Sequence, residues 1–227
     1  MNISSLQFAF FFANPPVNLK FDEFSVSLRK KNIFTDNHLE LQTVIFPFPN
    51  NAPIPADIPR CQITSSDQKF NLTISGARCD IQFRASNSNS VETFNNILMS
   101  IIELLASFEV EITRIGYVTE YIIIHPNPDL IIKEKFLNID QKDLCDPFIR
   151  FVIKTVINET TYNDVYQIQT ATQRNFVTGK EDSILLISQD FNTLPEMTKA
   201  ITTNDLNNFV KNIPQDRIQK YIQMLSE

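Results

Sequence analysis

The chain has 227 residues, of which 43% are hydrophobic and 20% are charged, and its formal net charge at pH 7 is −6. A chain of this length buries a real core without metals or disulfides, and no apolar run reaches the roughly 18 residues that a membrane span needs. The acidic balance argues against a nucleic-acid partner, because affinity for the phosphate backbone comes mainly from clustered Lys and Arg.

The first part of the sequence predicts strands separated by proline-rich connections. The stretch from Ile3 to Phe12 is rich in aromatic residues and predicts a buried strand rather than a secretory leader, since no Lys or Arg precedes it. Alternation from His38 predicts a second strand. The segment "PFPNNAPIPADIP", from Pro47 to Pro59, is too rich in proline for a helix and predicts an extended loop. The segments "RCQIT", "KFNLTIS" and "RCDIQFRA" then predict an antiparallel meander.

A long amphipathic helix is predicted after the meander. Apolar residues recur at i, i+3 and i+4 from Phe94 to Phe108, and Ser90 is suited to cap the helix. So broad an apolar face requires a sheet to cover it. The segment "VEITRIGYVTEYIII", from Val110, predicts the long strand that completes a first lobe, and "HPNP" ends it.

The second half repeats this plan with shorter connections. The segments "PFIRFVIKTVI", "VYQIQTAT" and "SILLISQ" predict strands joined by polar turns, one of them at Asn158 to Asp164. Thr193 is suited to cap a helical region with Pro195 in its first turn. After a break at Pro214, an amphipathic terminal helix is predicted, with four apolar side chains on one face: Ile218, Tyr221, Ile222 and Leu225.

Two similar stretches indicate an internal repeat. "CQITSSDQKF" from Cys61 and "YQIQTATQRNF" from Tyr166 both place a Gln-Ile pair five residues ahead of a Gln, a basic residue and then a Phe. The predicted fold class is α+β with two related lobes, each an antiparallel β-meander packed against helices in a tandem, ferredoxin-like or similar arrangement. The predicted N-terminal lobe covers residues 1–128, a linker covers 129–146, and the C-terminal lobe covers 147–227.

Four short motifs lie along most of the chain. They are "PPV" at Pro15 to Val17, Pro59-Arg60 before a strand pair, "RIGYVTEYI" after the long helix and "SQDFNTL" before the terminal helices. Together they resemble an uncharacterised, sporadically distributed bacterial family of about this length. The chain departs from the family pattern at Gln189-Asp190, where two acidic residues are expected, and in its glycine-poor loops. The resemblance implies no activity, cofactor or catalytic residue, and the patchy occurrence of the family implies a link to mobile elements or defence.

Histidines and paired carboxylates give little support for catalysis. His38 and His125 do not form a metal-binding pair, so structural roles are expected for both. Glu109 and Glu111 are predicted to project to one face of a strand, as a glycosidase pair does, but two solvated charges are the favoured interpretation. With three glycines in the whole chain and no GxxxxGK[ST] or GxGxxG, a phosphate-binding loop is not expected.

The cysteines and aspartates give no stronger support for catalysis or metal binding. Three cysteines without a CxxC pair indicate reduced thiols in a cytoplasmic protein. An arginine beside Cys61 or Cys79 lowers a thiol pKa, yet no His base is evident, so packing roles are favoured. Three aspartates recur every third residue, and a hydrated linker is favoured over a cation site: Asp140, Asp143 and Asp146. No catalytic, cofactor-binding or metal-binding residue and no cofactor is therefore predicted.

These observations favour a non-catalytic protein that binds another macromolecule or itself, as a homodimer, with no membrane partner. The predicted contact surface is the proline-rich loop with a sheet edge, since an extended segment loses little entropy on docking. Its candidate contact residues are Phe46, Phe48, Ile54 and Ile58. A loop packed on its own lobe is the alternative. RNA binding or processing is the second functional hypothesis, because tandem ferredoxin-like lobes of this length are similar to CRISPR RNA-processing endonucleases. The acidic charge and the missing Gly-rich C-terminal loop rank it lower.

Overall fold

The structure is a computed structural model that describes residues 2–47, 55–85, 89–137, 145–174 and 178–226. Over these residues the chain forms nine β-strands, six α-helices and one π-helical turn. Neighbouring strands pair antiparallel wherever their register is defined. This mixture of helices and antiparallel strands confirms the predicted α+β class. None of the helices in the described residues is long and apolar enough to cross a lipid bilayer.

The strands lie close to the predicted segments and keep the alternation of buried and outward side chains that predicted them. In β5, for example, Cys79, Ile81 and Phe83 are buried, and Gln82 between them is exposed. The strands are β1 Asn2–Phe12, β2 Leu41–Ile45, β3 Cys61–Ser65, β4 Phe70–Ile74, β5 Arg78–Arg84, β6 Ile112–Ile124, β7 Phe148–Ile157, β8 Thr160–Arg174 and β9 Glu181–Thr193.

The helices include the long one predicted after the meander, which begins at Ser90 as expected. They are α1 Phe21–Arg29, α2 Asn32–Asp36, α3 Ser90–Ser107, α4 Pro128–Ile132, α5 Thr203–Lys211 and α6 Gln215–Ser226, with the π-helical turn at Lys133–Leu137. Eight side chains of α3 are buried, and six of them are Ile, Leu or Phe at the predicted helical spacing from Phe94 to Leu105, which explains why the helix needs a sheet beside it.

The chain forms two compact units, each discontinuous in sequence. The larger unit comprises Ser5–Tyr117 and Asn192–Asn212, and the smaller unit comprises Met1–Ser4, Val118–Phe191 and Ile213–Glu227. This division differs from the boundaries drawn on the sequence, because β6 and β9 each supply residues to both units. The segment expected as a linker, 129–146, contains most of α4, and Ile131 and Ile132 belong to the core of the smaller unit.

In the larger unit the strand order is β2-β3-β4-β5-β1-β6. The buried side chains of these strands point to one face, and helices pack on that face. Aromatic ring pairs join α2, α3 and α5 to the strands, with centroid separations between 5.2 and 6.1 Å: Phe34–Phe70, Phe83–Phe94, Phe94–Tyr117 and Phe8–Phe209. The side chains that alternate with the buried ones along these strands, such as Gln7 and Gln82, point away from this core.

In the smaller unit the strand order is β6-β9-β8-β7. Its core is formed by inward side chains of the strands together with α4 and α6, and includes Tyr121, Tyr166 and Leu185. Ile218, Ile222 and Leu225 of α6 are buried in this core, and Tyr221 is partly buried against it. α6 thus has the predicted apolar face, and that face lies in the core of the smaller unit.

The hairpin between β7 and β8 is tighter than predicted. The polar turn expected at Asn158 to Asp164 is reduced to Asn158 and Glu159, which both have positive φ angles, 47° and 66°. β8 begins at Thr160, which pairs with Ile157. The predicted turn is too long because polar residues are typical turn formers, whereas pairing with β7 satisfies their backbone groups and keeps them in the strand.

The predicted cap at Thr193 is wrong. Thr193 is the last residue of β9, where its hydroxyl accepts the Ile115 N–H at 3.0 Å and donates to the Ile115 carbonyl at 3.2 Å. Thr202 caps α5 instead, in a capping box with Asp205. A threonine before a proline resembles a helix start in sequence, and only the distant strand reveals its other use.

The two similar stretches of the predicted repeat adopt different local structures. The first runs from β3 through a turn, in which Gln68 has a φ of 58°, into β4. The second continues without a turn as β8 through Gln173 and Arg174. The matching Gln and basic residue thus lie in a turn in one stretch and in a strand in the other.

Candidate interaction surface

Burial keeps the two strand cysteines protonated. Cys61 of β3 and Cys79 of β5 are fully buried in the larger unit. Burial raises the pKa of Cys61 to about 11; it also raises the pKa of Cys79 well above its usual value, and the nearby carboxylate of Asp80 adds to that shift. Neither thiol forms a thiolate at neutral pH, so both residues act as small packing residues. Cys145 is exposed.

This difference in burial predicts the reactivity of the thiols. In native protein at pH 8, we expect Ellman's reagent to modify Cys145 rapidly and Cys61 and Cys79 only after unfolding, because a buried thiol at high pKa is a poor nucleophile. The measurement is absorbance at 412 nm with and without denaturant (about 6 M guanidinium, well past the unfolding midpoint of an ordinary domain). Cys145→Ser serves as the control and should abolish the fast phase. A second fast thiol in the native protein would contradict the packing role.

The carboxylate pair predicted at the start of β6 is not formed. Glu109 lies beyond the end of α3 with a φ of 57°, and β6 begins only at Ile112. The Asn18 amide donates to the Glu109 carboxylate at 3.4 Å. Because Glu109 is in the connection, the expectation that Glu109 and Glu111 share one strand face is wrong.

His38, His125 and Asp146 all lie in connections between helices and strands. His38 has a φ of 57° at the turn before β2, and His125 Nδ1 accepts the Asn127 N–H at 3.1 Å. Asp140 and Asp143 lie outside the described residues, and Asp146 is exposed. Among the residues that the structure describes, no group of three or more His, Cys, Asp or Glu side chains is placed to hold a metal ion.

A buried polar cluster in the smaller unit was missed by sequence reasoning. Asp164 is fully buried, and its carboxylate accepts hydrogen bonds from the Tyr166 hydroxyl at 2.6 Å, the Gln189 amide at 2.9 Å and Arg217 Nη1 at 3.2 Å. Arg217 Nη1 also donates to the Thr155 hydroxyl at 2.6 Å. Burial, followed by the hydrogen bond to Asp164, raises the pKa of Tyr166. The cluster joins β7, β8 and β9 to α6, so its role is structural.

The described residues of the proline-rich segment lie beside the edge strand β2 of the larger unit. Of the four predicted contact residues, Phe46 and Ile58 are exposed at 37% and 38%, and Phe48 and Ile54 lie outside the described residues. The structure adds Val44 and Ile45 of β2, exposed at 53% and 44%. We call these four described residues the β2 surface: Val44, Ile45, Phe46 and Ile58. The run of three apolar residues from Val44 was the signal for an uncovered strand end.

Backbone hydrogen bonds hold this segment in place. The Phe46 N–H donates to the Arg60 carbonyl at 3.0 Å, and the Arg60 N–H donates to the Ile74 carbonyl at 2.7 Å. The Ala77 N–H reaches the Ala56 carbonyl at 2.9 Å. A Cβ at Gly76 would lie 2.9 Å from Arg60 Nη2, the far end of a flexible side chain, and 3.3 Å from the Ala56 Cα, so a larger residue there would press on the Ala56 backbone. The described part of the segment is therefore fixed to the sheet while its apolar side chains stay exposed.

The outward face of the same sheet carries a row of uncharged polar side chains. Strand register places one such residue on each of five neighbouring strands: Gln7, Gln82, Asn71, Thr64 and Gln42. Strands are about 4.8 Å apart, so the row repeats hydrogen-bonding groups at that spacing. A shallow cavity of about 440 Å³ lies over part of it, with Lys69 and Arg84 at its rim. This arrangement suits a polar, extended ligand.

The charges and rings on this face limit what it can bind. Arg78 pairs with Asp80 at 2.8 Å. Arg114 lies 4.7 Å from the centre of the Phe11 ring, and Arg78 lies 5.8 Å from it. On the paired segments of β1, β3, β4 and β5, Phe11 is the aromatic residue whose side chain points to the outward face. The two arginine side chains already lie beside its ring. The stacking platforms on which single-stranded RNA readers depend are thus missing from these strands.

Neither a protein-family model nor a curated protein matches this chain. The assignment of a function therefore depends on the surfaces described above.

Proposed function

We propose that this chain is a non-catalytic interaction protein that binds a protein partner through the β2 surface. The observation that carries the proposal is the exposure of four apolar side chains, between 37% and 53%, on and beside a terminal strand of the sheet. Apolar side chains scattered singly are ordinary on protein surfaces, but several of them together at the end of an edge strand and in the segment beside it are typical of a binding site. Placement in the cytoplasm and a role in mobile elements or defence belong to the same proposal.

The strand edge supports a specific mode of binding. β2 pairs with β3 along its full length and is the last strand in the order, so among the described residues no strand pairs with the backbone groups on its other side. An extended segment of a partner would add to the sheet at β2, with its apolar side chains against Ile45 and Phe46. The described part of the proline-rich segment, already fixed at Ala56, would lose little entropy in the complex.

The test is a charge placed on the β2 surface. Ile45→Glu is expected to weaken partner binding at least roughly tenfold, because a buried carboxylate at the contact lacks a counter-charge. The melting temperature should stay nearly unchanged, since Ile45 is exposed in the free protein. Proteins captured from the native host by wild type are identified by mass spectrometry, purified and measured by calorimetry against both forms.

Val17→Glu is the matched control, because Val17 is 89% exposed and lies outside the β2 surface. Equal binding of wild type and Ile45→Glu would contradict the proposal. Deletion of Phe48 to Ile58 tests the segment itself: loss of binding with an unchanged melting curve supports a contact role, whereas unfolding shows that the segment is structural.

A second copy of the chain is one candidate partner. Light scattering at several concentrations distinguishes this case, because wild type would then have the mass of a dimer and Ile45→Glu the mass of a monomer. A wild-type monomer at every concentration would exclude the homodimer and leave a different protein as the partner.

RNA binding is the second candidate function, with two related, ferredoxin-like lobes as its proposed architecture. The row of polar side chains from Gln7 to Gln42 and the nearby Arg78, Arg84 and Arg114 favour it, since amides and guanidinium groups contact bases and phosphates. The absence of aromatic platforms on the paired strand segments described above argues against it. Binding of an RNA hairpin or single strand at sub-micromolar protein in low salt would reverse the ranking.

A further inference from the structure

The outer strand of the smaller unit presents a second, chemically different edge. β7 is ten residues long and pairs with β8 over its full length, and it is the last strand in the order. Its side chains alternate strictly between exposed and partly buried. Ile149, Phe151 and Ile153 pack against the core of the smaller unit. The alternate five side chains therefore point away from that core: Phe148, Arg150, Val152, Lys154 and Val156.

The outward side chains of β7 combine apolar groups with positive charge. Phe148, Val152 and Val156 are exposed at 53%, 42% and 66%. Arg150 and Lys154 lie between them, and Lys154 Nζ donates to the Asn163 side chain at 2.6 Å. Their cross-strand neighbours on β8 are all uncharged: Gln169, Gln167, Val165, Asn163 and Thr161. This face of the β7–β8 hairpin thus has two cations and no carboxylate, on a chain whose net charge is −6.

We propose that the outer edge of β7 accepts an extended peptide in which acidic and apolar residues alternate. Open N–H and C=O groups along the edge would hold the backbone of the peptide as an additional strand. Its acidic side chains would lie beside Arg150 and Lys154, and its apolar side chains beside Phe148, Val152 and Val156. The β2 surface has no part in this site, so the proposal goes beyond the function proposed above and does not depend on it.

Charge separates this occupant from a second copy of the chain. The antiparallel register that pairs all five outward residues of β7 with themselves is centred on Val152. It places Arg150 opposite Lys154 of the partner subunit, twice per dimer, and like charges directly opposite each other are destabilising. An acidic peptide turns the same two positions into attractive pairs. The two cations therefore discourage self-pairing and select a partner of opposite charge.

Nucleic acid and anionic lipid fit the edge less well. Two cations neutralise too few phosphates for appreciable affinity at physiological salt. Neither ligand has a backbone that continues the hydrogen bonding of a strand, whereas a peptide does. The geometry of a straight, ten-residue edge therefore favours a peptide strand.

The probe is a fluorescein-labelled peptide with the sequence Val-Thr-Glu-Thr-Val-Thr-Glu-Thr-Val. When it is added as a strand beside β7, its Val and Glu side chains lie on the face of the outward β7 side chains and its Thr side chains lie on the other face. A second peptide has Lys in place of Glu, and a third has N-methylated backbone amides. Binding to the full chain is measured by fluorescence anisotropy. We expect the Glu peptide to bind wild type, and Arg150→Glu with Lys154→Glu to weaken it at least roughly tenfold. The double variant should instead bind the Lys peptide.

Matched controls make the result specific to the edge. Lys220→Glu reverses one charge on the exposed face of α6 in the same unit and should leave binding unchanged. Ile45→Glu should also leave it unchanged, so this test can fail or succeed independently of the β2 surface. In hydrogen exchange, the amides of β7 should gain protection when the Glu peptide is bound.

Four outcomes would overturn the proposal. One is no binding of the Glu peptide up to about 1 mM, the limit of weak specific binding. Another is equal binding of the N-methylated peptide, which would show charge attraction without strand addition. The third is tighter binding of single-stranded RNA or phosphatidylserine vesicles that depends on Arg150 and Lys154. The last is a wild-type dimer that Val152→Glu dissociates, which would make a second copy the occupant.

Discussion

Asp164→Ala is expected to lower the free energy of unfolding by about 3 kcal/mol, because it removes the charged acceptor that a partly buried guanidinium and two buried donors share. Arg217, Tyr166 and Gln189 all donate to the Asp164 carboxylate, which is fully buried. The side chain of Arg217 is 38% exposed, and partial hydration holds the loss at the lower end of the range for broken buried pairs. Urea denaturation followed by circular dichroism measures the change.

Asp182→Ala is the control for this prediction. Asp182 also pairs with a cation, Lys180, at 2.7 Å, but the Lys180 side chain is 71% exposed. An exposed ion pair contributes about 0 to 1 kcal/mol, so Asp182→Ala should change stability little. If the two variants were equally stable, the buried cluster would not hold α6 to the sheet.

Ile218→Ala is the second large effect that we expect, with a loss of about 2–5 kcal/mol. Ile218 is fully buried in the core of the smaller unit, and its truncation removes apolar contacts and leaves a cavity. An isolated helix of the length of α6 is marginal in water, so its order depends on this packing. Thermal denaturation gives the loss, and hydrogen exchange should show the amides of α6 opening first.

Gln219→Ala is the matched control on the same helix, because Gln219 is exposed beside Ile218. It should change the free energy of unfolding by no more than about 0.5 kcal/mol, as expected for a surface position. A similar loss for both variants would mean that helix propensity, rather than docking on the sheet, stabilises α6.

Much of the local structure could be predicted because its signals are local. The alternation in β3, β4 and β5 and the helical spacing from Phe94 onward depend only on neighbouring residues, and the structure follows both. The apolar face of α6 was recognised in the same way, and its burial agrees. For the contact surface, the sequence indicated Phe46 and Ile58, and both are exposed.

The features that sequence analysis missed or predicted wrongly all depend on residues that are distant in the chain. In the sequence, Asp164 is an ordinary polar residue near a predicted turn. Its role becomes evident only from its contact with Arg217, which lies 53 positions away in the chain. Thr193 reads as a helix cap until its hydroxyl is seen bonded to the backbone of Ile115, 78 positions away. The division of β6 between two units depends on which strands pair with each half. No periodicity within a window of ten or twenty residues contains this information.

Each of the two units is built from separate segments of the chain, and this has a consequence for the order of folding. In the smaller unit, β6, β7, β8 and β9 are synthesised before α6, and residues of the larger unit, Asn192–Asn212, come between β9 and α6. The sheet of the smaller unit therefore leaves the ribosome with only α4 on its apolar face, and α6 joins it after the residues of the larger unit between β9 and α6 have been made. We infer that the last step of folding is slow and exposed to aggregation, and that neither unit can be isolated by a single cut in the chain.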